Sequence, residues 1–224
     1  MMHPVIETDE RAIVLDLSSG ATLNGRAIAG LGVHEFCAEI DEAMAKAGTG
    51  FAFGRWGEPR EVYANDLFAV AGSGERRTIH MGIDLFCRPG TPVQAPLDGV
   101  VEYAANNAAE LDYGPLVILR HEPPGDSVFF TLYGHLSLET LERIDEGQSV
   151  AAGEQIATVG SPPVNGNWPP HLHFQLIRDL KGLGVDFPGV APESERDHWL
   201  ELSPSPARFF AAIDPALLEY DVCN

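Results

Sequence analysis

The stretch Pro169-Pro170-His171-Leu172-His173-Phe174-Gln175-Leu176-Ile177 decides the fold. Read as a strand, its period of two sets His171, His173 and Gln175 on one face and Leu172, Phe174 and Leu176 on the other. One face packs and the other is left for chemistry. Far upstream, His80-Met81-Gly82-Ile83-Asp84 passes the same test, with His80, Gly82 and Asp84 on one side and Met81, Ile83 and Leu85 opposite. Two strands thus each present a pair of polar groups able to ligate a metal.

Two imidazoles and one carboxylate are a common ligand set for a catalytic zinc, leaving the fourth tetrahedral position for water. The order His80-x-x-x-Asp84, then Tyr133-Gly134-His135-Leu136, then His171-Leu172-His173 resembles the M23 family of zinc metallopeptidases. These are the lysostaphin-like enzymes that cut peptide bonds in bacterial cell-wall cross-links. The resemblance extends to Gly90-Thr91-Pro92-Val93-Gln94-Ala95-Pro96, to Asp98-Gly99-Val100-Val101 and to Glu146-Gly147-Gln148-Ser149-Val150-Ala151-Ala152-Gly153, covering residues 76 to 178.

The resemblance implies that His80, Asp84 and His173 hold Zn2+, and that His135 and His171 are the catalytic pair. One of the pair takes a proton from the zinc-activated water and the other steadies the tetrahedral oxyanion, in an order the residues leave open. It implies a mainly β fold, a lysostaphin-type antiparallel β-sandwich of the duplicated hybrid motif kind, with the metal cleft on one open sheet face. The implied activity is that of a metallo-endopeptidase, a hydrolase cleaving a peptide or amide bond.

The Asn167-to-Phe174 stretch and the Asp186-to-Pro204 tail are also similar to the M23-like middle segment of bacterial chains that join a phosphotransferase to a class III aminotransferase. That resemblance implies a small amide or peptide as substrate. Taken singly, each histidine reads as a hydrogen-bonded core or surface imidazole. Jointly that reading fails, because four histidines and an aspartate would all have to match by accident. His3, His34, His121 and His198 have no partner spacing and keep the plain reading, with His121 expected near the cleft.

Composition narrows the alternatives. A formal net charge of -19 argues against sequence-independent nucleic-acid binding, which needs Lys and Arg to displace counterions. No apolar run is long enough to span a membrane. The first residues carry neither a basic n-region nor an apolar h-region, so the expectation is a cytoplasmic protein. Cys37, Cys87 and Cys223 are too few and scattered for a disulfide framework, and the strand alternation turns Cys87 away from the metal face. The hairpin at Glu146 to Ile156 is similar to that of lipoyl and biotinyl carriers, but Lys46 and Lys181 lie far from any hairpin tip, which excludes a swinging arm. A non-catalytic M23-like scaffold that binds metal or a partner protein is the remaining rival, and the complete ligand set favours an enzyme.

In chain order, residues 1–70 form an extension, with a strand over Ala12–Leu17 and an amphipathic helix from Val33 to Ala47 stopped by Gly48. The aromatic, glycine-broken loop Phe51–Arg60 carries two arginines and is read as structural packing, with a place along a substrate groove as the alternative. Residues 71–180 form the catalytic β domain, in which Val128–His135 alternates so that Thr131, Tyr133 and His135 share a face. Residues 181–224 are a tail packing on the core, with a short helix near Ala207 to Ile213. Trp168, between two proline pairs, is expected near the metal cleft, in the core or in the substrate wall.

Overall fold

A computed structural model describes residues 2–8, 11–63, 68–210 and 213–221. Cys223 and parts of the Glu61–Phe68 and Ala207–Ile213 stretches lie outside the described residues. In chain order the extension supplies β1 (Ile13–Val14), β2 (Thr22–Leu23), β3 (Arg26–Ala27), α1 (Val33–Ala47) and β4 (Ala52–Gly54). The middle of the chain supplies β5 (Arg77–His80), β6 (Ile83–Phe86), β7 (Pro92–Gln94), β8 (Gly99–Asn107), β9 (Gly114–His121) and β10 (Phe129–Gly134). After these come β11 (Ser149–Val150), β12 (Gln155–Thr158), β13 (His171–Ile177), β14 (Val190–Pro192) and α2 (Arg196–Leu202).

Eight strands form the main sheet in the order β1-β4-β6-β13-β10-β9-β8-β11, antiparallel throughout except for the β1–β4 pair. The fold is mainly β, as expected, and the sheet is covered on both faces. One face carries Leu172, Phe174, Tyr133, Val117 and Leu119, packed with Val93 and Ile156 from the β7–β12 pair and with Val159 just beyond it. The opposite face carries Leu116, Ile118, Leu132 and Ile177, packed with Ile79 and Ala191 from the β5–β14 pair. Burial on both sides explains why Leu116–Leu119 reads as a continuous apolar run and why all seven residues of β13 are buried.

The extension is woven into this sheet. The strand expected over Ala12–Leu17 is only Ile13–Val14, and it reaches the sheet by pairing with β4, which in turn pairs with β6. The helix has the limits its apolar spacing gives. Phe36, Ile40 and Met44 pack its inner face, and Gly48 ends it in the left-handed conformation, donating its N–H to the Ala45 carbonyl. Phe36 meets Phe86 of β6 edge to face, with ring centroids 6.5 Å apart.

Three local readings change. His80 to Asp84 is two strands rather than one, because β5 leaves the main sheet to pair with β14 while β6 stays beside β13. The parity of β10 is also reversed at its end. Tyr133 faces Phe174 in register and lies in the back core with Thr131, whereas Gly134 faces His173. His135 follows with φ +62, and that left-handed turn brings its ring round to the metal side, away from Thr131 and Tyr133. His121 goes the other way. It hydrogen-bonds the Asp98 carbonyl and Thr131 Oγ1 on the back face, away from the cleft.

Candidate metal centre and active site

One row of residues crosses four strands of the main sheet: Gly54 on β4, Asp84 on β6, His173 on β13 and Gly134 on β10, each directly opposite the next. Cross-strand partners share a face, so Asp84 and His173 meet without any long-range adjustment. The two glycines at the ends of the row leave the space that two other side chains fill. A β-carbon on Gly54 would lie 2.5 Å from Arg60 Nη2, and one on Gly134 would lie 2.7 Å from Tyr113 Cδ1. Gly54→Ala should therefore push the Arg60 guanidinium off Asp84. The expected cost is about 1–3 kcal/mol, as for other overpacking changes, read as a lower melting temperature. An unchanged melting temperature would show that the guanidinium has room to move.

His80 joins the row from β5. Its Nε2 lies 3.0 Å from His173 Nδ1 and 3.2 Å from Asp84 Oδ1, and His173 Nδ1 lies 3.1 Å from Asp84 Oδ1. All three residues are buried. The expected ligand set thus converges, and among the described residues it is the one group of His, Cys, Asp or Glu found with metal-binding spacing. Cys87 is buried in the back core, as the alternation required, and burial pushes its thiol up to about 11.

The donor set fits a cation. His80 Nδ1 is 2.9 Å from the Arg55 carbonyl, which can only accept, so that nitrogen carries the hydrogen. Gln175 donates its amide N–H groups to Ser203 Oγ and to the Pro188 carbonyl, so its Oε1 accepts from His173 Nε2 at 2.9 Å. Both remaining imidazole nitrogens are then bare lone pairs 3.0 Å apart, facing a carboxylate oxygen. Burial, with the Arg60 charge nearby, pulls the His80 pKa down to about 4, which disfavours a proton on that ring. A metal ion is the group that satisfies three acceptors arranged in this way.

The other Asp84 oxygen accepts from Arg60 Nη1 at 2.6 Å, and Arg60 Nε donates to Glu58 Oε2 at 2.8 Å. Glu58 and Arg60 are almost completely buried. Burial alone would raise the Asp84 carboxyl, but His80, Arg60 and His171 outweigh it and hold it well below the usual carboxylate range. Burial pushes Glu58 up, with Arg60 opposing. These residues belong to the loop read as packing. The signal that could have found them is a Glu-x-Arg pair in an otherwise aromatic, apolar segment, where buried charges need a partner.

The expected catalytic histidines lie beside the triad. His171 Nε2 is 3.6 Å from Asp84 Oδ1, and the His135 and His171 rings are 4.3 Å apart. His171 Nδ1 bonds the Pro169 carbonyl at 2.6 Å and His135 Nδ1 bonds the Asn165 carbonyl at 2.9 Å. Both rings therefore carry hydrogen on Nδ1 and keep Nε2 bare. Burial lowers the pKa of both, His135 well below the ordinary value. Trp168 is half-buried, with its ring 6.3 Å from that of His135, and it lines the cleft as part of the wall. The cleft has a volume of about 180 Å³ and is bounded on one side by Leu17, Phe36, Val62 and Phe68 of the extension.

Residues 78–186 match the model of peptidase family M23. An uncharacterized metalloprotease of Haemophilus influenzae is 36% identical over 115 residues, which is 50% of this chain and 22% of that protein. The murein hydrolase activator NlpD of Escherichia coli is 31% identical over 131 residues, 58% of this chain and 30% of its own length. The DD-carboxypeptidase/endopeptidase Mpg of Neisseria meningitidis serogroup B is 37% identical over 97 residues, 43% of this chain and 20% of its own. The chain thus spans less than a third of the length of each of these three relatives. The catalytic domain of lysostaphin from Staphylococcus simulans aligns at 28% identity and a TM-score of 0.37, covering 49% of this chain and 75% of that one. The family match spans the stretch that supplies His80, Asp84, His135, His171 and His173, and over residues 78–186 the chain is a domain of peptidase family M23.

Proposed function

We propose that the chain is a zinc-dependent hydrolase that cleaves a peptide or amide bond, with His80, Asp84 and His173 as the metal ligands and His135 and His171 as the catalytic pair. The observation that carries this reading is the facing of bare imidazole nitrogens and a carboxylate oxygen within about 3 Å, beside two further imidazoles with bare Nε2. A zinc ion held there would supply Lewis acidity, lowering the pKa of water to roughly 7 and polarising a carbonyl.

The protein's own part follows from the tautomers. Because backbone carbonyls fix hydrogen on both Nδ1 atoms, His135 and His171 enter the cycle as proton acceptors at Nε2. The ring that takes the proton from the attacking water becomes an imidazolium. It can then return that proton to the amine as the C–N bond breaks; the other ring, whose Nε2 is a bare acceptor, can hydrogen-bond the developing oxyanion only after it too has taken up a proton there. Gln175, fixed by Ser203 and Pro188, holds the His173 ring, and the Arg55 carbonyl holds that of His80.

Since burial lowers the pKa of both His135 and His171, their neutral form should persist below the ordinary imidazole value of about 6.5. The acid limb of kcat/KM, measured at saturating zinc, is therefore expected below pH 6.5. A limb at or above that value would show that the two rings titrate as exposed histidines.

The likeness to NlpD, a murein hydrolase activator, supports a second reading in which the domain binds metal and a partner without cleaving anything. Parallel measurement of zinc content and hydrolysis in ligand and non-ligand histidine variants separates the two. Cytoplasmic location remains part of the proposal. Among the described residues no helix is long and apolar enough to cross a membrane, while one relative is named a lipoprotein homolog. Fractionation at native expression decides, and recovery outside the cytoplasm would overturn the location.

A further inference from the structure

Away from the reacting centre the cleft wall is polar at Asn107, Asp112 and Asp186 and apolar along another stretch, where the Arg77 guanidinium lies over the Phe68 ring; the segments that build the apolar stretch come from distant parts of the chain. Phe68 and Val190 form a small cluster with Val62, Leu111 and Trp168 packed against it. All five line the cavity that also holds Asp84, His135, His171 and His173. Val62, Leu111 and Trp168 also line a second cavity that reaches Ile28 and Val33, so they border both spaces.

Leu111 is the informative residue. Its φ is +65, a left-handed backbone that is costly for a residue with a β-carbon and is ordinarily filled by Gly or Asn. The turn is made by backbone bonds, Leu111 N–H to the Gly166 carbonyl at 2.8 Å and Asp112 N–H to the Ala109 carbonyl at 3.1 Å. Neither bond uses the leucine side chain. A bulky residue in such a conformation persists where its surroundings over-determine it, and such residues gather at ligand-binding sites. Here the side chain is half-buried and borders both cavities.

We propose that Leu111, with Trp168, Val62 and Phe68, forms a subsite for a bulky apolar side chain next to the scissile bond. The substrate class is then a peptide or amide bearing a branched aliphatic or aromatic group, rather than a run of glycines. Val62 and Phe68 lie outside the segment that matches the family, so the extension sets this preference. The inference rests on the hydrolase reading only in calling the ligand a substrate, since the wall itself stands on packing and on the Leu111 backbone.

The test titrates the zinc-loaded full chain with Gly-Gly-Gly, Gly-Leu-Gly and Gly-Phe-Gly, following tryptophan fluorescence, with mass analysis of the same samples for cleavage. The leucine and phenylalanine peptides should bind at least about tenfold more tightly than triglycine, as burial of one large apolar side chain gives. Leu111→Asn, which suits the left-handed backbone, should shrink that preference to within about threefold without lowering the melting temperature. Equal binding of the three peptides, or binding of none, would overturn the subsite. So would an undiminished preference in Leu111→Asn, or a melting temperature several degrees lower with the preference intact. A preference that behaves as expected, with no peptide cleaved, supports the subsite and counts against the hydrolase reading. Cleavage without preference does the reverse.

Discussion

Replacing His173 by alanine should empty the metal site, whereas His135→Ala and His171→Ala should each keep zinc near full occupancy and still lose hydrolysis by roughly 100-fold or more. The difference follows from position. His173 Nδ1 stands within 3.1 Å of both His80 Nε2 and Asp84 Oδ1, so its removal takes one of three protein ligands from the set. His171 Nε2 is 3.6 Å from the Asp84 oxygen, and His135, held by the Asn165 carbonyl, has its ring 6.1 Å from that of His173. Zinc content by elemental analysis and cleavage of a panel of glycine-rich, D-alanine-containing and apolar peptides and small amides would be measured side by side. If His135→Ala cuts as fast as wild type, the pair does not carry the protons. If the zinc-loaded wild type cuts nothing in the panel, the binding-scaffold reading stands instead.

The part of this site that was legible in the sequence is the part set by local periodicity. The alternation of His171 to Ile177 is realised by β13, and the 33–47 helix has the limits its apolar spacing and Gly48 impose. His135 was reached through its Tyr-Gly-His-Leu surroundings and not through alternation. A single left-handed residue at the end of β10 reverses the parity, and nothing in the pattern of apolar residues marks it. The Glu-x-Arg pair marks Glu58 and Arg60 as charges in need of partners, but their link to the site was illegible. It depends on β4 lying beside β6, so that Gly54 falls opposite Asp84, and pairing between strands so far apart in sequence leaves no local trace. The same holds for Ser203, which reaches Gln175 from the tail.

The second large effect is expected at Arg60, whose guanidinium lies between two buried carboxylates, 2.8 Å from Glu58 and 2.6 Å from Asp84. Arg60→Leu would leave Asp84 without its guanidinium and Glu58 with Arg55 alone, 3.3 Å away, and breaking a buried pair in this way costs about 3–5 kcal/mol. For a chain of this size that corresponds to a melting temperature lower by roughly 6–20 °C. The loss should be partly recovered in Glu58→Gln/Arg60→Leu, because one of the two carboxylates that lose Arg60 has gone, so the double variant should be more stable than the sum of the two single changes predicts. Saturating zinc should recover more, since a cation then sits against Asp84 in the folded state and adds its binding free energy to stability. Thermal melts of the four proteins, each with and without zinc, check these orderings. If Arg60→Leu melts within a degree or two of wild type in the metal-free form, the guanidinium does not balance the two acids, and the extension contributes walls to the site but not charge.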